Sequence, residues 1–237
     1  MLFRSDVWLQ LSTFETLVFR SHTIGDFAAD DFSLPDTPPA GGPLLSSEIG
    51  TPGDDTIVGT GGGNYMDGKG GNDTLIGGPG DDTYVVYATG TTTIIENPNG
   101  GVDTVQAQRS FQLPDNVENL KLVAWNTTGI GNGLDNAIYG TGGAETLNGK
   151  GGNDYLFGGA GNDTFVYERN SGFDTIADFH PLTTSGAEHD TLQLVGYGTD
   201  ATLTNDGDIW TVHYAGGEDH IKITGVTQLS HTDYFFA

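Results

Sequence analysis

Acidic and amide side chains stand at fixed intervals among glycines in two stretches of this 237-residue chain, and such a pattern supplies hard oxygen ligands. Each stretch divides into nine-residue units of the form G-G-x-G-x-D-x-U-x, where U is a large apolar residue. Units of the first array begin at Gly50, Gly59, Gly68 and Gly77, with Asp55, Asn64, Asp73 and Asp82 at their sixth positions. Units of the second begin at Gly131, Gly140, Gly149 and Gly158, with Asn136, Glu145, Asp154 and Asp163 in that place. The block GKGGNDTLIGGPGDDTYVVY from Gly68 agrees with GKGGNDYLFGGAGNDTFVYE from Gly149 at 13 of 20 positions.

The spacing dictates a chemistry. Glycines such as Gly53, Gly71, Gly80, Gly152 and Gly161 let the chain take positive φ and bring carbonyl oxygens close to an ion. The sixth residue adds a carboxylate. The last three residues form a short strand whose middle side chain points inward: Ile57, Met66, Leu75 and Tyr84 in one array, Ile138, Leu147, Leu156 and Phe165 in the other. Two units make one coil, so alternate units stack, and calcium is expected between stacked turns. That ion prefers about six to eight oxygens at about 2.3–2.6 Å. Asp55 with Asp73, and Asp154 with its neighbours, are expected to bind most strongly. Asn64 with Asp82 and Asn136 with Asp154 lack one charge, and Glu145 facing Asp163 is longer than the loop expects. Asp174 and Asp178, in the FDTIADF segment, together with Asp190, are expected to hold a further ion at the end of the second array.

Lys and Arg number 8 against 32 Asp and Glu, giving a net charge of −24. Such a chain repels nucleic acid and anionic membrane unless a cation intervenes, and its own carboxylates repel one another. There is no cysteine, so neither disulfides nor thiolate metal sites are available. No apolar stretch approaches a membrane span, and MLFRSDVWLQ does not read as a cleavable signal peptide. Neither an H-E-x-x-H helix nor a G-x-S-x-G elbow is present, and the six histidines show no ligand spacing. The expectation is a non-catalytic module.

The organisation expected is a β cap or upstream remnant over 1–34 and a linker over 35–49, Pro-rich at Pro35–Pro43. The first array covers 50–85, a degenerate β segment 86–130, the second array 131–179, and a C-terminal β cap 180–237. The segment between the arrays is 45 residues long, or five units, and alternates in Thr93–Glu96, Val102–Gln106 and Val117–Val123. One continuous rod or two separate rolls are both compatible with that length.

With its repeats so spaced, the region from Gly50 to Ala237 resembles the C-terminal part of RTX proteins exported by type I secretion. The resemblance implies an all-β fold, a right-handed parallel β-roll with calcium in the turns, here with an antiparallel C-terminal cap. It also implies a secreted protein that meets the type I secretion machinery as a partner, and a secretion signal in Asp233–Ala237. Calcium outside the cell is then expected to drive folding of a chain too acidic to fold without it. An acidic extracellular polysaccharide is the alternative partner, met by a face bearing Lys69, Lys150, Arg109, Lys121, Tyr65 and Tyr155.

Overall fold

A computed structural model describes residues 7–10, 16–19, 46–182 and 188–237. The chain divides into two units, 1–42 and 43–237. In the first, β1 (Val7–Gln10) pairs antiparallel with β2 (Thr16–Phe19). The Pro-rich segment expected as a linker lies outside the described residues.

The second unit is a parallel β-solenoid of about seven turns, and no helix occurs among the described residues. Its strands follow one another as β3 (Ser46–Ile49) and β4 (Thr56–Val58), then β5 (Asn64–Asp67) and β6 (Asn72–Ile76), β7 (Thr83–Val86) and β8 (Thr91–Ile95). The run continues with β9 (Thr104–Ala107) and β10 (Phe111–Gln112), β11 (Asn119–Leu122) and β12 (Thr128–Ile130), β13 (Ala137–Tyr139) and β14 (Thr146–Asn148). It closes with β15 (Tyr155–Phe157) and β16 (Thr164–Glu168), then β17 (Thr175–Ile176) and β18 (Thr191–Val195). Odd-numbered strands stack into one long sheet, from β3 through to β17. Even-numbered strands form the opposite face, which divides into β4-β6-β8 and a six-stranded sheet that begins at β10. Ser46–Ile49, assigned by composition to the linker, is a solenoid strand because it pairs in register with β5.

Strands this short have no stability alone, so the fold rests on stacking and on an apolar column between the two faces. Alternation sends every second side chain inward. Met66, Leu75, Tyr84, Ile138, Leu147, Leu156 and Phe165 are each at most 1% exposed, whereas Ile57, in the first coil, is only partly covered. Ile94, Val105 and Leu120 continue the column through the segment between the arrays. Gly129 takes the inward place on β12 because a Cβ there would lie 3.0 Å from Ile138 and 3.2 Å from Leu120.

The coil step is 18 residues within the arrays, as in Tyr65 beside Thr83. Between them Thr83 pairs with Thr104, 21 residues on, and Thr104 with Asn119, 15 on. A long coil and a short one therefore cancel. Strands of 86–130 take their places in the same long sheet as both arrays.

At the C-terminal end, β19 (Thr202–Asp206), β20 (Ile209–Tyr214) and β21 (Gly217–Ile223) are antiparallel to one another, and β21 joins β17 in parallel. The expected cap is antiparallel only in this part. Residues Thr191–Val195 and the last strand, β22 (Tyr234–Phe236), pair in parallel and extend the six-stranded face. The buried Trp210 donates its indole N–H to the Val226 carbonyl at 3.0 Å, and Tyr167 stacks on Tyr197 at 6.3 Å, closing the core. Leu147, held between Gly129 and Phe165 on neighbouring strands, tests this column. Leu147→Ala is expected to lower the stability of the calcium-saturated protein by about 2–5 kcal/mol, measured by urea unfolding.

Candidate metal-binding turns

The turns between strands form two columns, one along each edge of the roll, and every sixth-position side chain lies in one of them. Stacked partners meet as their spacing predicts. The Asp55 N–H donates to Asp73 Oδ1 at 3.0 Å, Asn64 N–H to Asp82 Oδ1 at 2.6 Å, Asn136 N–H to Asp154 Oδ1 at 2.7 Å, and Glu145 N–H to Asp163 Oδ1 at 2.8 Å. Asp154 and Asp163 extend the pattern, donating to Asp174 Oδ1 at 3.0 Å and Asp190 Oδ1 at 2.8 Å. A second, outer ladder runs the other way: Asn72 N–H donates to Asp54 Oδ1 at 2.7 Å and Asn153 N–H to Asp135 Oδ1 at 2.6 Å. One carboxylate oxygen each of Asp73, Asp82, Asp154, Asp163, Asp174 and Asp190 is thus committed to holding adjacent coils together.

A side-chain oxygen of the sixth residue divides the turns into two classes. At Asp55, Asn64, Asn136 and Glu145 it accepts the backbone N–H of the residue four earlier: Thr51 at 2.7 Å, Thr60 at 2.9 Å, Asn132 at 2.8 Å and Thr141 at 3.1 Å. These turns cap themselves. In the units of Asp73, Asp82, Asp154 and Asp163 the second residue is instead left-handed, with φ of 72° at Lys69, 100° at Gly78, 74° at Lys150 and 96° at Gly159. The fourth-position glycines Gly71, Gly80, Gly152 and Gly161 are left-handed too, whereas Gly53 is not. Second-residue amides of this class turn elsewhere: Lys69 N–H to Asp67 Oδ1, Lys150 N–H to Asn148 Oδ1, and Gly159 N–H to Asp178 Oδ2. Asp178 also accepts from Gly158 N–H, so both its oxygens are engaged as a turn cap.

The open turns leave acceptors without partners. Oδ2 of Asp82, Asp154 and Asp163 is buried and accepts no hydrogen bond, as is Oδ2 of Asp103 in the segment between the arrays. Buried carboxylates without partners are costly, because burial disfavours their charged form. Burial, reinforced by neighbouring carboxylates, pushes Asp82 up to about 6 and Asp103, Asp154 and Asp163 up to about 7. Burial also raises Asp174 to about 6. All the donors at these turns are oxygens, there is no thiol, and the orphaned atoms are anionic. This donor set fits calcium and not a soft metal.

Several participants escape the nonapeptide pattern. Asp103 donates its N–H to Glu118 Oε2 at 2.8 Å and accepts from Asp82, so it stands in the inner column between the arrays. Its sequence signal is the tripeptide Asp103-Thr104-Val105, which matches Asp163-Thr164-Phe165 and Asp190-Thr191-Leu192. Asp233 is also buried, accepting from Leu182 N–H at 2.8 Å and meeting His189 Nε2 at 3.0 Å. Of the basic face, Lys69 stands 3.7 Å from Asp67 and Lys150 forms an ion pair with Glu168 at 2.7 Å.

Carboxylates raised above 3.8 hold protons in the folded chain that the unfolded chain releases, so the metal-free fold loses stability as pH rises from about 4 through 7. In chelator, the fraction of chain showing the circular-dichroism signal of β structure is expected to be greater at pH 5 than at pH 7.5. A fraction unchanged or higher at pH 7.5 contradicts this account.

A family match agrees with the repeat spacing. Residues 49–84 and 139–176 match the RTX calcium-binding nonapeptide repeat (4 copies). The endo-1,3-1,4-beta-glycanase EglC of Rhizobium meliloti (strain 1021) is 44% identical over 115 residues, which are 48% of this chain and 23% of the glycanase. The chain therefore spans less than a quarter of that relative. The extracellular lipase LipA from Serratia marcescens superposes on 81% of this chain and 40% of its own, at 17% identity and a TM-score of 0.33.

Proposed function

We infer that this chain, which carries the RTX calcium-binding nonapeptide repeat, is a calcium-dependent folding module of a larger extracellular protein, and that calcium is held at its four open turns. The observation that carries the reading is the set of buried, unpaired Oδ2 atoms on Asp82, Asp154 and Asp163. Asp73 joins them because its turn has the same left-handed second and fourth residues. When bound, calcium supplies divalent charge that offsets the repulsion between stacked carboxylates. The chain's own residues do the rest. Oδ1 of each aspartate ties one coil to the next, and Oδ2 waits in the turn. The first glycine of the unit keeps that space clear, since a Cβ on Gly149 would lie 1.9 Å from Asp154 Oδ2. Asp55, Asn64, Asn136 and Glu145 act as structural caps, their turns needing no ion.

Coupling to export follows from the charge of −24. Where calcium is scarce the column of carboxylates disfavours the roll, and the chain stays extended enough for a type I secretion channel. Outside the cell, ion binding to the folded state alone stabilises that state by mass action. The relative's endoglycanase activity supports an upstream catalytic domain acting on polysaccharide, with this module as its non-catalytic tail. Calcium titration of chelator-stripped protein tests the reading. Circular dichroism is expected to show β structure appearing with calcium and not with magnesium. Asp154→Asn and Asp163→Asn are each expected to reduce the bound ions, and Asp55→Asn to leave their number unchanged. A fold complete in chelator, or equal losses at Asp55 and Asp154, overturns it.

A second reading, glycan binding by the rod, is favoured by one feature of the long sheet. Tyr139, Tyr155 and Phe157 stand exposed on adjacent strands, with Tyr139 centred 5.9 Å from Tyr155 and 6.4 Å from Phe157. Beside them Lys121, Asn119 and Thr104 line a depression of about 510 Å³. Aromatic faces flanked by hydrogen-bonding side chains suit sugar rings, whereas Lys69 and Lys150 are occupied by carboxylates of this chain. Tyr139→Ala with Phe157→Ala is expected to abolish retention on an immobilised β-glucan while leaving calcium binding intact. No retention of the unaltered protein removes this reading.

A further inference from the structure

We propose that Glu96 and Asp103 join Asp82 in one calcium site at its open turn inside the roll, at the seam where the even-numbered face divides into two sheets. The proposal rests on the calcium-dependent reading of the roll and gives the open turn of Asp82 two ligands that the nonapeptide pattern does not contain. The first stretch of the repeat match ends at residue 84 and the second begins at 139, and neither Glu96 nor Asp103 lies in a nine-residue unit.

The geometry begins with the lengthened coil. The step of 21 residues from Thr83 to Thr104 carries extra chain after β8, and β8 finds no partner in β10. Alternation along β8 buries Ile94, and the same parity turns Glu96 inward beneath Asp82 and Asp103. One oxygen from each of the three carboxylates lies within 4.8 Å of the others. Asp82 and Asp103 are at most 1% exposed, and their Oδ2 atoms accept no hydrogen bond. Glu96 is held in place by the Tyr84 hydroxyl, which donates to Oε1, and by Asn97 N–H, which donates to Oε2 at 3.1 Å. None of the ion pairs among the described residues engages these three acids. Three buried carboxylates within this distance carry more negative charge than a protein interior holds without a counter-ion. An all-oxygen, anionic donor set selects a hard divalent cation, and calcium is the one the neighbouring turns are built to take. The site then lies where the sheet is interrupted and joins the first array to the lengthened coil.

The full chain, stripped with chelator, reloaded with calcium and freed of excess ion, provides the test. Bound calcium is counted by emission spectrometry in the unaltered protein and in Glu96→Gln and Tyr84→Phe. Glu96→Gln is expected to lose one equivalent. Tyr84→Phe keeps all three carboxylates and is expected to retain the full count. With terbium in place of calcium, Tyr84→Phe is expected to lower tyrosine-sensitised emission, because it replaces the phenol chromophore beside the ion with a phenyl ring that does not sensitise at the same wavelength. A full calcium count in folded Glu96→Gln overturns the proposal. If Glu96→Gln does not fold, unchanged terbium emission in Tyr84→Phe overturns it instead. An unaltered protein that binds no calcium overturns the reading of the whole roll, which separates that failure from the failure of this one site.

Discussion

Stacking at a step of 18 residues places sixth-position side chains above one another, and the resulting column of carboxylates is the constraint on which the rest depends. Each coil needs its neighbour to satisfy backbone N–H groups that short strands leave open, and Oδ1 of the next coil's residue meets that need. The same contact draws negative charges into register in a poorly hydrated edge. Elevated pKa values at Asp103, Asp154 and Asp163 express the conflict. A roll of this kind is therefore held by backbone and apolar contacts and opposed by its own charge.

The turns resolve the conflict in two ways. Where threonine or asparagine is the second residue, φ stays negative and its amide caps the carboxylate or amide oxygen four residues on. Where glycine or lysine holds that place, positive φ swings the amide away and leaves the oxygen open. For lysine the left-handed conformation costs roughly 1–2 kcal/mol. At Lys69 and Lys150 it is offset by side-chain acceptors, Asp67 and Asn148, standing two residues earlier. The unfavourable conformation persists at both positions, which fits a turn shaped for something other than its own hydrogen bonds.

Ends and irregular coils follow from the same need to cover strands. The antiparallel strands β19 to β21 extend the long sheet beyond β17, while β22 adds a last parallel strand to the other face. The chain's final residues are thereby part of the roll, with Asp233 buried and tied to Leu182 and His189. Between the arrays a long coil and a short one preserve the phase of the long sheet, but the opposite face pays for the irregularity with a break between β8 and β10.

The sequence by itself determined the repeat unit, the inward apolar column from Met66 to Phe165 and the stacking of Asp55 on Asp73 or Asn136 on Asp154. Each follows from a local period of nine and an alternation of two, which no distant contact alters. It also held a signal for Asp103 and Asp190, in the Asp-Thr-apolar tripeptide that marks the entry to a strand. Only the tertiary structure decided which turns are open, since the distinction lies in the φ of one residue and in the partner its amide finds in the next coil. It alone placed Glu96 beside Asp82 and Asp103, because an insertion in one coil sets which residue reaches the seam. The C-terminal β cap was legible as strands, but the parallel pairing of Thr191–Val195 was not, and Tyr234–Phe236 was expected as a secretion signal and not as a strand, for pairing depends on which edges remain uncovered once the roll has formed.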